Sequence, residues 1–312
     1  MIELDDVERA ARTIAGRVHR TPLLYSTTLG AHLKAELFQK TGAFKVRGAL
    51  NKIASLTKDE RKRGVATVSA GNAGQAVAWA AREAGVDALI VTWRTADALK
   101  VAAMRGYGAT VDLEADGPTT AFDRLSEVLI ETGRTLVHPF DDPLVIAGQG
   151  TVGLEILEDG PVPDVVLAGC GGGGLISGIA VAVKSRNSRA RVIAVEPEGS
   201  TALHSAFEAG QPVPVTPHTA ADALTGPFAG DHCFEICREL GVESVLVSED
   251  ELFEAFRWAY ARTKLACELG GAAPVAALLA GKAGVQKGET VVAVVSGGNI
   301  APQQAAAILA QS

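Results

Sequence analysis

The stretch Val165-Val-Leu-Ala-Gly169-Cys-Gly-Gly-Gly-Gly174-Leu-Ile-Ser-Gly178-Ile-Ala-Val-Ala-Val183 runs nineteen residues without a charge, the length of a membrane span. Six of the nineteen are glycine, four of them consecutive. Each glycine in a helix interior costs about 1 kcal/mol relative to alanine, so one continuous helix is a poor reading. A short β-branched strand, a glycine loop and an apolar helix fit better. Residues without Cβ let the backbone wrap a phosphate, and the helix start that follows offers free N–H groups, so the loop is a candidate phosphate cradle.

The same alternation extends along the chain. Val65–Ser69, Ala88–Thr92, Val165–Leu167, Val192–Val195, Ser244–Ser248 and Thr290–Ser296 are apolar, β-branched runs. Ala73–Ala84, Leu175–Ser185, Asp250–Leu265 and Ala272–Gly281 carry helical spacing or composition. This predicts an α/β fold with open, largely parallel sheets covered on both faces. A chain of 312 residues suggests two domains. The smaller is expected as an insertion over 48–144, and the larger as 1–47 plus 145–312.

Composition removes other classes. With 29 Lys+Arg against 36 Asp+Glu the net charge is −7, which argues against a nucleic-acid partner. Cys170, Cys233, Cys237 and Cys267 are too sparse for a disulfide framework, so a reducing cytoplasm is expected. His232, Cys233 and Cys237 cluster, but Phe234 and Ile236 among them read as one packed helix rather than a metal site. The acidic, amphipathic N-terminus has no basic start or apolar core of a signal peptide, and neither export nor a membrane partner is expected. Glycine, at 34 residues, exceeds average usage by roughly a dozen.

Much of that excess sits in four constellations. In Lys40-Thr-Gly-Ala-Phe-Lys45-Val-Arg-Gly48, Lys45 lies between apolar neighbours, where partial desolvation can lower its pKa and make it an imine-forming nucleophile. Ser69-Ala-Gly-Asn-Ala-Gly-Gln75 follows a strand and opens a helix, a geometry suited to a carboxylate or phosphate. The loop Gly169–Gly174 is the third. It also satisfies G-x-G-x-x-G, and Glu196 stands twenty-two residues beyond Gly174, so a nicotinamide-dinucleotide oxidoreductase competes with a simple phosphate site. The fourth, Ser296-Gly-Gly-Asn299, ends the most apolar strand, where open α/β sheets place ligand contacts.

Together, and in this order, the four sets resemble the fold type II family of pyridoxal-phosphate enzymes, specifically its threonine/serine dehydratase and serine racemase group. Arg20-Thr-Pro-Leu23, Leu37-Phe-Gln39, Pro139-Phe-Asp-Asp-Pro143, Gly148-Gln-Gly-Thr-Val-Gly-Leu-Glu155, Val195-Glu-Pro197 and Ala221-Asp222 also match, so the likeness covers nearly the whole chain. It implies a tryptophan synthase β-like fold, two open α/β domains with pyridoxal 5'-phosphate between them. Lys45 would be the Schiff-base lysine and the base at Cα. Phe44 would pack by the ring; Gly171, Gly172, Gly173, Gly174 and Leu175 would hold the phosphate. Asn72 would meet the ring hydroxyl, Ser296 the pyridine nitrogen, and Glu268 would adjoin the cofactor. Ser69, Ala70, Gly71 and Asn72 would bind the substrate carboxylate. The implied reaction is β-elimination from a β-hydroxy amino acid such as L-threonine or L-serine, giving a 2-oxo acid and ammonia. A homodimer is implied.

Departures from the group's pattern carry further expectations. Racemases of the group have serine where Ala70 stands, and a methyl group cannot return a proton, so a dehydratase is expected over a racemase. Ala43 and Ala73 replace the usual serine and histidine and would adjoin the substrate. Ala223 replaces a glycine, and Leu269 a proline that would lie near the ring. The group's divalent-metal site pairs a glutamate with an aspartate six residues later; here Glu196 is followed by Ala202, so no metal is expected. With thirteen residues beyond Asn299, no C-terminal regulatory domain and no isoleucine inhibition are expected. The glycine surplus then reads as a backbone shaped around one phosphorylated cofactor and one carboxylate.

Overall fold

The computed structural model describes residues 2–311, with Pro118 and Thr119 described in backbone alone. The strands are β1 Leu23–Ser26, β2 Ala31–Ala35, β3 Val65–Val68, β4 Ala88–Trp93, β5 Thr110–Ala115, β6 Thr135–Leu136, β7 Val165–Gly169, β8 Arg191–Pro197, β9 Glu243–Val247 and β10 Val291–Val295. The helices are α1 Leu4–Ile14, α2 Val46–Ala54, α3 Lys58–Arg63, α4 Asn72–Ala84, α5 Ala98–Gly106, α6 Pro118–Thr132, α7 Pro143–Asp159, α8 Gly174–Arg186, α9 Ala202–Ala209, α10 Asp231–Glu239, α11 Glu249–Trp258, α12 Leu269–Leu279 and α13 Pro302–Leu309.

Two sheets result. One has the order β1-β2-β10-β7-β8-β9 and is parallel except for β1, which pairs antiparallel with β2. The other, β5-β4-β3-β6, is wholly parallel and drawn from residues 65–136. Both faces of each sheet are covered. On the larger sheet, Leu252, Phe256 and Ala273 pack one face, while Ile176, Ile179 and Phe234 pack the other. Such double cover is why β7 and β10 are apolar at every position. No described helix is long and apolar enough to cross a membrane.

The expected crossing points at 48 and 145 fall inside α2 and α7, which pack against each other. A Cβ on Gly148 would lie 2.5 Å from the Gly48 Cα, and one on Gly178 of α8 would lie 2.4 Å from the Ile146 carbonyl oxygen. These glycines let helix backbones approach closely. The surplus therefore serves helix packing as well as ligand loops, a correction to its reading as a ligand-shaped backbone alone.

Charge also ties α2 to α7. Arg47, fully buried, donates bidentately to Glu36 (2.8 and 2.8 Å) and to Glu155 (2.7 and 2.9 Å), and buried Lys34 reaches Glu155 at 2.6 Å. Burial alone would lower the Arg47 pKa, but the Glu36 and Glu155 carboxylates outweigh it and raise it above the ordinary value. Two cations and two carboxylates thus satisfy one another beneath the segment that carries Lys45.

Elements the sequence concealed are the edges. The β1 strand is half exposed, β2 contains Lys34 and His32, β5 is charged, and β6 is two residues long. The helix expected over 250–265 is α only to Trp258; a wider π turn follows to Thr263, and Lys264 at φ 62° ends it.

Candidate active site

The carboxyl ends of β3, β7 and β10 open onto one cavity of about 340 Å³ between the two sheets. The residues expected to bind cofactor or substrate line it: Phe44 and Lys45, the turn Ser69–Asn72, Gly171–Gly174 with Leu175, Glu268, and Ser296. A second hollow of about 390 Å³, among α1, α2, α7 and α10, contains none of them.

Lys45 is positioned from both sides. Residues 42–44 run beside 296–298: the Phe44 N–H donates to the Ser296 carbonyl (3.1 Å), the Gly298 N–H donates to the Gly42 carbonyl (2.9 Å), and Ala43 bridges Gly297. Thr41 supports the turn at φ 63°, a left-handed conformation uncommon outside glycine, and Asn299 Nδ2 donates to its carbonyl at 2.7 Å. The Lys45 amine donates to the Pro139 carbonyl at 2.6 Å and lies 5.2 Å from the Phe44 ring centroid. Burial pushes its pKa down to about 8, against the opposing influence of Cys233, Cys170 and Glu268.

Opposite stands the glycine loop. Among the described residues, the N–H groups of Gly171, Gly172, Gly174 and Leu175 find no protein acceptor, and they open the thirteen-residue helix α8. A Cβ on Gly172 would fall 2.4 Å from the Phe140 ring, and one on Gly174 2.7 Å from the Phe140 carbonyl oxygen. The loop must therefore be glycine to lie on Phe140 with its donors facing the cavity.

Side chains close the remaining walls. Asn72 Nδ2 donates to Glu268 Oε1 at 2.7 Å and its Oδ1 accepts from Asn299 at 2.8 Å, leaving one amide hydrogen to offer. Glu268 Oε2 is buried without a partner; burial pushes this carboxyl up to about 7, with Asp222 adding and Lys100 opposing. The Ser296 hydroxyl has no protein partner among the described residues. No sequence motif marks His138. Its Nδ1 accepts the Asp141 N–H at 2.7 Å and burial pushes it down to about 4, so the neutral ring shapes the turn that presents the Pro139 carbonyl.

The structure also decides where the substituted residues and the candidate ribose acid lie. Ala43 does not adjoin the cavity; it is fully buried against Gly297, because the 42–44 segment zips onto the strand end after β10. Leu269 points away into the apolar core of the larger sheet, whereas Ala73 and Ala223 do line the cavity. Glu196, the candidate ribose acid, is fully buried: its carboxylate accepts the Leu203 and His204 N–H groups of α9 (2.8 and 2.9 Å) and the Ser244 hydroxyl (3.1 Å). It cannot serve a dinucleotide at the loop. Among the described residues no group of three His, Cys, Asp or Glu forms a metal site.

The sequence model of the family described as "Pyridoxal-phosphate dependent enzyme" matches residues 14–297. The chain belongs to this family. Over 307 residues it is 44% identical to the L-threonine ammonia-lyase of Thermotoga maritima, covering 96% of this chain and 76% of that protein. It is 41% identical over 311 residues to the catabolic L-threonine dehydratase of Escherichia coli, covering 96% and 93%. A solved threonine deaminase, from T.th., superposes with a TM-score of 0.90 at 42% identity over 96% of this chain and 99% of that one. Maize serine racemase gives 0.92 at 35% identity over 97% and 95%. The fold is that of the fold type II pyridoxal-phosphate enzymes.

The cavity of this pyridoxal-phosphate enzyme suits the cofactor. It presents a lysine amine of lowered pKa, a run of unsatisfied N–H donors cradled on Phe140, a free hydroxyl at Ser296 and an orphaned carboxyl oxygen at Glu268. An amine at about 8 is roughly 10% neutral at pH 7, against about 0.03% for an ordinary lysine. Loading of the cofactor-stripped protein should therefore accelerate with pH and level off above about 8. Stopped-flow absorbance at a series of pH values checks this; a rate still climbing at pH 10 would show Lys45 unperturbed.

Proposed function

We propose that the chain is a pyridoxal-phosphate-dependent ammonia-lyase that converts L-threonine, and secondarily L-serine, to a 2-oxo acid and ammonia. One observation carries the reading: the Lys45 amine, the free donors of Gly171, Gly172, Gly174 and Leu175 and the Ser69–Asn72 turn all face one cavity. The threonine-deaminating relatives support it.

When bound, the cofactor draws electrons from the Cα of the amino acid attached to it. The protein does the rest. Lys45 Nζ would anchor the cofactor, and the same nitrogen, once free, would be the base that takes the proton from the substrate's Cα. The N–H groups of Gly171, Gly172, Gly174 and Leu175 would hold the phosphate, and the start of α4 would hold the substrate carboxylate. Asn72 would offer its remaining amide hydrogen to the ring hydroxyl, with Glu268 beside it. Ser296 would meet the pyridine nitrogen; its hydroxyl is too weak an acid to keep that nitrogen protonated, which would favour expelling a β-substituent over storing charge. The water lost at the β-carbon is regained when the enamine product hydrolyses, so no oxidant is needed.

Ala70 separates lyase from racemase. It lines the cavity with a methyl group and has no proton to return to Cα. Ala70→Ser should raise racemisation of L-serine by at least about tenfold, a well-positioned general acid typically being worth about 10²–10⁴-fold. Chiral chromatography of the amino acid pool checks this, and equally fast racemisation by the unmodified protein refutes the role. The reading as a whole is tested by ammonia and 2-oxo acid release over a panel of β-hydroxy amino acids. Turnover on none of them would overturn it.

A further inference from the structure

Lys100 and Asp222 form an ion pair across the cavity that the site described above leaves without a role. Lys100 comes from α5, on the side of the four-stranded sheet; Asp222 lies between β8 and β9, on the other wall. Neither side chain has another partner among the described residues. Lys100 is 13% exposed, Asp222 61%, so the lysine is committed to the cavity while the aspartate is largely in water.

Lys100 also overlies the Ser69–Asn72 turn. A Cβ on Gly71 would sit 3.9 Å from both its Cδ and its Nζ. Beneath it the N–H groups of Asn72, Ala73 and Gly74 donate to no protein acceptor among the described residues, whereas the Gly71 N–H is already taken by Ser69 Oγ at 3.0 Å. A full positive charge and three unsatisfied donors thus converge on one side of the cavity. An anion there would face the Asp222 carboxylate unless Lys100 turned to it.

We infer that Lys100 is a second anchor for the α-carboxylate of the substrate, and that Asp222 is the counter-ion which that carboxylate displaces. The inference rests on the turn being the carboxylate site of the proposed ammonia-lyase. An ion pair with one partner in water is weakly held, and a carboxylate gaining Lys100 together with the α4 donors is held by charge-assisted hydrogen bonds from both. Released Asp222 is solvated. The two residues therefore have opposite effects on binding: Lys100 favours the carboxylate and Asp222 competes with it.

The test uses the cofactor-loaded protein and L-alanine, which has no β-leaving group, titrated by the shift in cofactor absorbance. Lys100→Met should weaken L-alanine binding by about tenfold. Lys100→Arg should retain most of it. Asp222→Asn should tighten it by about threefold. L-Alaninamide, which has no carboxylate, should bind all four proteins alike. If Lys100→Met and Asp222→Asn weaken L-alanine binding equally, the pair is only a structural tie and the inference fails. Unchanged binding in Lys100→Met, or an equal loss for the amide, also overturns it. Either result can occur while the unmodified protein still deaminates L-threonine, which leaves the lyase reading intact. An unmodified protein that binds no L-alanine and deaminates nothing overturns both.

Discussion

Lys45→Ala should lower ammonia release by at least about 10³-fold, because one nitrogen serves both as the cofactor's covalent anchor and as the base at Cα. The visible band of the loaded protein should disappear with it. Folding should be little affected. The amine donates to the Pro139 carbonyl, and the backbone around it is fixed independently by the 42–44 to 296–298 pairing and by α2. Turnover and absorbance, measured beside the melting midpoint, separate loss of chemistry from loss of fold. Retention of more than a few per cent of turnover would place the base elsewhere.

The largest effect on stability is expected two residues further on. Arg47→Met leaves the Glu36 and Glu155 carboxylates without their bidentate partner, and removing one member of a buried ion pair costs about 3–5 kcal/mol. Lys34 covers only one oxygen of Glu155 and none of Glu36. Chemical denaturation of the stripped protein measures the loss. The cofactor should also be held less tightly, since Arg47 fixes the helix start that carries Lys45. A loss below about 1 kcal/mol would mean that water or rearrangement compensates the carboxylates.

The site was largely legible because its chemistry is built from local strings. A strand, a glycine loop and a helix start announce themselves within ten residues, and Ser69–Gln75, Gly169–Gly174 and Ser296–Asn299 all end buried, apolar strands. What stayed hidden depends on contacts far apart in sequence. The Lys100–Asp222 pair closes across 122 positions, and Lys34 in β2 reads as a surface residue until Glu155 is placed beside it. His138 is similar: nothing nearby shows that burial will hold its ring neutral. Ala43 and Leu269 show the opposite failure, in which adjacency to a functional residue did not mean facing the same way. In an extended segment or at a helix start, successive side chains diverge, so a neighbour in sequence can belong to the core.

Incubation of the cofactor-loaded protein with L-threonine tests the central claim most directly. Ammonia and 2-oxobutanoate should appear in equal amounts, at a rate lost in Lys45→Ala. A loaded protein with an intact Lys45 absorbance band that releases neither product from L-threonine or L-serine would contradict the account.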